Sequence, residues 1–146
     1  MLRILRADGR EMRIENLTDQ IYSMEDDEGW QWHWSVSEAL KCAQTRGELF
    51  TVSLSEMGIT TERIRGQYDG MNETYALTTD LTQPLLFVPF RDKHQLVDGW
   101  NRLFKASVLG VDELFAYFLT QEEADDCLVC KLPPGRGIDW GQPKHG

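Results

Sequence analysis

The sequence has little of three things: cysteine, basic charge and long apolar runs. Its three cysteines in 146 residues are few and odd in number, which argues against a disulfide framework. No apolar stretch approaches the ~20 residues that a membrane-spanning helix needs. The opening segment, MLRILRADGREMR, meets charge before an apolar signal-peptide core can form. The expectation is a cytoplasmic protein without membrane contact. Lys and Arg number 15 against 24 Asp and Glu, a net charge of −9. A surface this acidic repels a phosphate backbone, so the chain is not built to coat DNA. One local basic pocket for a nucleotide stays open. Apolar residues at 41% and charged residues at 27% are ordinary for a globular domain, and the length is enough for a core without staples.

Local patterns order the chain. LRILRADGREMRI alternates around Asp8-Gly9 and predicts a hairpin. MEDDEG (24–29) is an acidic loop, and WQWHW (30–34) has strand period. Ser35 and Glu38 have capping-box spacing before VSEALKCAQTR, a helix closed by Gly47. LFTVSL (49–54) reads as a strand, and 55–80 as a short helix and a loop. PLLFVPF (84–90) is a buried-type strand, RDKH turns it, and QLV returns it. A helix over 99–109 and a strand over 113–119 follow. Thr120 and Glu123 then cap a last helix, QEEADDCLV. KLPPGRGIDWGQPKHG reads as an irregular tail. The fold class expected is α+β, a small mixed β-sheet with flanking helices. Residues 1–48 form an N-terminal extension of hairpin and helix, 49–128 the core domain, and 129–146 the tail.

LVDGWNRLFKASVLG (96–110) carries the most suggestive chemistry. A strand ends on Asp98-Gly99, and Arg102 stands in the first turn of the next helix. The first N–H groups of a helix lack intrahelical partners and, with the helix dipole, attract phosphate. Gly99 would let the backbone approach an anion, and Arg102 could close a charged fork over it. Asp98 could cap the helix, hold a ribose hydroxyl or hold a Mg²⁺ that accompanies phosphates. On spacing alone, a cap, a turn glycine and a solvated arginine suffice.

VSLSEM and TQPLLFVPFRDKHQLVDGWNRLFKASVLGVDELFAYFLTQEEAD together resemble the ParB/sulfiredoxin superfamily, over roughly residues 49–126. Gln83-Pro84 opens a strand, a tight turn and second strand follow, and DGWNRLFKA (98–106) occupies the phosphate-binding box. Where ParB proteins have Gly-Glu-Arg-Arg and sulfiredoxins Gly-Cys-His-Arg, this chain has Gly99-Trp100-Asn101-Arg102. Trp100 thus replaces the ParB carboxylate and the sulfiredoxin catalytic cysteine, which argues against sulfinic acid repair. The resemblance implies a stand-alone version of the nucleotide-binding domain. It implies nucleotide contacts from Gln83, Pro84, Asp98, Gly99, Trp100, Asn101, Arg102 and Lys105, catalytic roles for Asp98 and Arg102, and Mg²⁺ on Asp98. The implied function is an ATP- or CTP-binding ATPase or Mg²⁺-dependent nuclease, of the kind carried on plasmids and other mobile elements. The alternative is a non-catalytic acidic interaction protein that keeps the fold and binds a partner protein.

Three other groups of residues are candidates. Trp30, Trp32 and Trp34 share one side of an extended segment. They could stack bases or form a protein-partner surface, and more commonly such a row covers a core. Cys127 and Cys130 are half of a zinc site, which Cys42 with His33 or His94 could complete only through the fold. Arg91, Lys93 and His94 make a small basic spot that could meet phosphates.

Overall fold

The computed structural model describes residues 2–5, 11–14, 20–68 and 70–135. Strands β1 (Leu2–Leu5) and β2 (Glu11–Ile14) pair antiparallel, with Leu2 opposite Ile14 and Leu5 opposite Glu11. The hairpin expected from the alternation is there, and its Asp8-Gly9 turn lies outside the described residues. Strands β3 (Ile21–Glu25) and β4 (Gln31–Ser35) form a second antiparallel pair. Helix α1 (Val36–Arg46) starts where Ser35 Oγ accepts the Glu38 amide at 3.2 Å and stops at Gly47, with φ 71°. Both boundaries are those the sequence predicts.

Strand β5 (Phe50–Ser53) leads into two short helices, α2 (Thr61–Gln67) and α3 (Glu73–Ala76). Thr60 and Asn72 cap them by accepting the amides of Arg63 and Tyr75. Strands β6 (Leu85–Phe90) and β7 (Lys93–Asp98) form a hairpin. Its turn residues, Arg91 and Asp92, have φ 45° and 48°, the twist a tight antiparallel hairpin requires. Helix α4 (Trp100–Leu109), strand β8 (Glu113–Phe118), helix α5 (Gln121–Cys127) and strand β9 (Leu128–Leu132) complete the order. Thr120 and Glu123 make the full reciprocal capping box on α5.

The main sheet runs β5-β8-β6-β7. It is mixed, because β6 and β8 are parallel and the other pairs antiparallel. The class is therefore α+β. Strand β6 is buried on both faces, so its apolar residues run without alternation. Leu85 and Phe87 join one core with Trp100, Leu103 and Phe104 of α4 and Ile64 of α2. Leu86 and Val88 join a second core with Trp34, Val36 and Ala39 from β4 and α1, and Ala124 and Cys127 from α5.

Four elements depart from expectation: β3 takes Met24 and Glu25 from the expected acidic loop, 55–80 holds two short helices in place of one, β7 begins at Lys93 inside the expected RDKH turn, and the chain after Cys127 changes type. The last helix ends at Cys127, and 128–132 form β9 in place of helix and irregular tail. Leu128, Val129 and Cys130 are all buried. Strand β9 pairs antiparallel with β4, which places it in a three-stranded sheet ordered β3-β4-β9. A short apolar run suits a helix end or a strand equally, and the edge of β4 decides between them.

Candidate functional site

Strand β7 ends on Asp98, Gly99 makes the turn, and α4 begins at Trp100. Gly99 has φ 110°, and an added Cβ would sit 2.5 Å from Leu85 Cδ2. The glycine is required by backbone and by space. Helix α4 has no side-chain cap at this end. Asp98 does not cap it; Arg102 Nη2 lies 3.3 Å from Asp98 Oδ2. The same Nη2 donates to the Pro84 carbonyl at 3.0 Å. The two side chains are only 17% and 20% exposed, and Arg102 Nε is buried without a partner among the described residues. Lys105 Nζ likewise donates to the Thr79 carbonyl at 2.6 Å. The cations expected over a phosphate therefore tie the loop before β6 onto α4.

The other box residues spread out. Gln83 is exposed in that loop, and its amide donates to the Asp80 carbonyl at 3.2 Å. Asn101 is half-buried on the first turn of α4. Trp100 turns inward: it donates from Nε1 to the Leu96 carbonyl at 3.2 Å and stacks on Tyr68 with ring centres 5.7 Å apart. Tyr22 of β3 packs in the same region, accepting from Gln95 Nε2 at 3.0 Å. Burial pushes its phenol up to about 12. As for Mg²⁺, the box offers the Asp98 carboxylate, already paired with Arg102. Among the described residues no three His, Cys, Asp or Glu side chains cluster for a metal.

Trp100 also walls a cleft of about 800 Å³ that opens on the α2 and α4 side of the main sheet. Its floor is apolar: Val52, Phe87, Leu96, Leu103 and Phe118 from the sheet and α4, with Ile64 from α2. Arg63, Lys93 and His94 reach it from exposed positions, with Glu56 as an acidic neighbour. Asp98, Gly99, Asn101 and Arg102 are not among its lining residues. The basic turn residues noted in the sequence thus divide. Lys93 and His94 line the cleft, whereas Arg91 Nη2 donates to Asp26 Oδ2 at 2.9 Å. Arg63 and the cleft itself had no local sequence signal, because the lining comes from segments far apart in the chain.

Of the tryptophan row, Trp34 is buried, and Trp30 and Trp32 are half-buried. Trp34 is 2% exposed and stacks between Tyr22 and Trp32, with Phe90 against it edge-on. Lys131 Nζ lies 4.7 Å and 4.4 Å from the ring centres of Trp30 and Trp32. Asp26 organises the acidic loop below them, accepting from the Glu28 and Trp30 amides and from Trp32 Nε1, each at 2.9 Å. The Trp32 bond leads the interactions that hold its carboxyl below the usual range. A lone buried Asp inside an acidic run gives no sequence signal.

Among the described residues the cysteines do not form a cluster of three metal-ligating side chains with His33 or His94. Cys42 and Cys127 Sγ atoms are 3.9 Å apart, Cys130 is buried, and His33 sits on β4 with Nδ1 2.7 Å from Ser23 Oγ. Burial lowers the His33 imidazole to about 4 and raises the Cys130 thiol to about 11. Among the described residues no helix is long and apolar enough to cross a membrane. The chain matches no family model, no curated protein and no solved structure.

Proposed function

We propose that the protein binds a nucleotide, ATP or CTP, in the cleft walled by Trp100. The observation that carries this reading is the union of an apolar floor with a basic rim in a chain of net charge −9. Aromatic and aliphatic side chains suit a base, and Arg63, Lys93 and His94 suit its phosphates. About 800 Å³ is within the range of small-molecule sites. The order from β6 to α5 is strand, tight turn, strand, glycine-led helix, strand, helix, and the resemblance of this segment's sequence to ParB/sulfiredoxin-like domains supports the reading. In this reading Asp98, Gly99 and Arg102 position Trp100, and the rim holds the ligand's charge. ATPase or Mg²⁺-dependent nuclease activity extends the proposal, with Glu56 as the carboxylate that lines the cleft.

Isothermal titration of the intact chain with ATP and CTP, each with Mg²⁺, tests it. One of the two should bind with a stoichiometry near one and raise the melting temperature as its concentration rises. No heat and no thermal shift at millimolar nucleotide would overturn the proposal. The alternative of an acidic interaction protein draws on a different place. Val108, Leu109 and Val111 stand exposed around the end of α4, Leu109 at 59%. A protein partner there, with no nucleotide bound, is the outcome that would replace the nucleotide reading.

A further inference from the structure

Helices α1 and α5 lie side by side over the second core, and each brings one cysteine to their seam. Cys42 Sγ and Cys127 Sγ are 3.9 Å apart although 85 positions separate them in the chain. Arg46, four residues beyond Cys42, binds Glu123 of α5 at 3.1 Å and the Phe118 carbonyl of β8. Cys42 is half-buried, whereas Cys127 is 1% exposed. A disulfide needs sulfurs ~2.05 Å apart, so closure asks for about 2 Å of approach. Side-chain rotation and a small helix adjustment would have to supply that distance.

We propose that Cys42 and Cys127 are a modification site, a dithiol that a low-molecular-weight disulfide converts into a staple between α1 and α5. The Cys42 thiolate attacks one sulfur of the small disulfide. A mixed disulfide forms on Cys42, and one small thiolate leaves and takes up the proton that Cys42 released. The Cys127 thiol then loses its proton to solvent, and its sulfur attacks Cys42 Sγ. The Cys42–Cys127 bond forms, the mixed disulfide breaks, and the second small thiolate leaves and is protonated. Two electrons pass from the protein dithiol to the small disulfide, which ends as two thiols. Burial raises the Cys127 thiol above its ordinary range, so Cys42 is the entry point and ring closure the slower step. Cys130, buried on β9, is the built-in control.

The test uses the full reduced chain with oxidised glutathione, followed by acid quench, unfolding, maleimide alkylation and mass spectrometry. Three thiols should be alkylated before oxidation and one afterwards, with no glutathione mass retained. Peptide mapping should join Cys42 to Cys127 and find the maleimide on Cys130. A glutathione adduct should appear transiently before closure. The melting temperature should rise, because the bond closes a long loop. Cys42→Ser should keep two thiols and show no internal link. A glutathione adduct that persists without closure, a link to Cys130, an intermolecular link, or unchanged thiols would each overturn the proposal. All four outcomes are read on the wild-type chain and hold whether or not the variant folds.

Discussion

Arg102 Nη2 donates to the Pro84 carbonyl at 3.0 Å and faces Asp98 Oδ2 at 3.3 Å. One guanidinium thus joins the loop before β6, the end of β7 and the first turn of α4. An arginine at a helix start is disfavoured by the dipole, and the Asp98 charge offsets this. Arg102→Ala would leave the Asp98 carboxylate and the Pro84 carbonyl short of a donor in a largely buried place. The expected loss is about 1 to 3 kcal/mol, read from urea unfolding. Arg102→Lys should recover only part of it, because an ammonium cannot serve both acceptors with the same fork. An unchanged unfolding midpoint in Arg102→Ala would mean that the side chain is free for a ligand.

Gly99 makes the neighbouring prediction. With φ 110° and a prospective Cβ 2.5 Å from Leu85 Cδ2, Gly99→Ala meets strain and a clash together. Leu85 is wholly buried, so moving its side chain aside would disturb the core around it. A loss on the order of 2 to 4 kcal/mol follows, from backbone strain plus overpacking. Thermal unfolding by circular dichroism measures it. A stable Gly99→Ala protein would show that the turn is not held as described.

These two residues show what was legible in the sequence and what was not. The Asp-Gly step located the strand-to-helix turn, and Gly99 needs to be glycine. Ser35 and Gly47 fixed both ends of α1, because capping chemistry is local. The direction of Arg102 was not legible. A first-turn arginine reads the same whether it reaches a ligand or a carbonyl 18 residues back. The cleft was hidden for the same reason, since Val52, Ile64, Lys93 and Phe118 meet only through tertiary packing. Strand β9 was hidden because Leu-Val-Cys has no periodicity of its own. Its identity comes from pairing with β4.

His33 predicts a pH dependence. Its folded-state value is lowered by burial from 6.5 to about 4. Between those values the unfolded chain binds more protons than the folded one, so stability increases with pH across that window. It is fully present above about pH 6.5 and falls as the pH drops toward 4, by roughly 3 kcal/mol at most. The loss levels off below the folded value, where Asp26, held low by its hydrogen bonds, adds a separate acid-side loss. Urea unfolding at several pH values from 7 to 4 checks this, and His33→Gln should flatten the upper part of the curve. An equally steep curve in the variant would assign the titration elsewhere.

Lys93 separates the rim of the cleft from the box. It lines the cleft from the exposed end of β7, away from the Arg102 tie. If the rim holds phosphate, Lys93→Ala removes a charge-assisted contact worth about 1.5 to 3 kcal/mol. Nucleotide affinity should then fall on the order of 10- to 100-fold. Stability should stay within about 0.5 kcal/mol, as for a surface side chain outside any buried network. Raising the salt concentration should weaken wild-type binding more than that of the variant, because one fewer charge is screened. Arg102→Lys should show the opposite profile, with a lower unfolding midpoint and a smaller change in affinity once folded. Titration calorimetry and urea unfolding on the same two proteins resolve the pattern. If affinity falls in Arg102→Lys and holds in Lys93→Ala, the phosphates sit at the helix start, and the rim residues Arg63, Lys93 and His94 do not hold them.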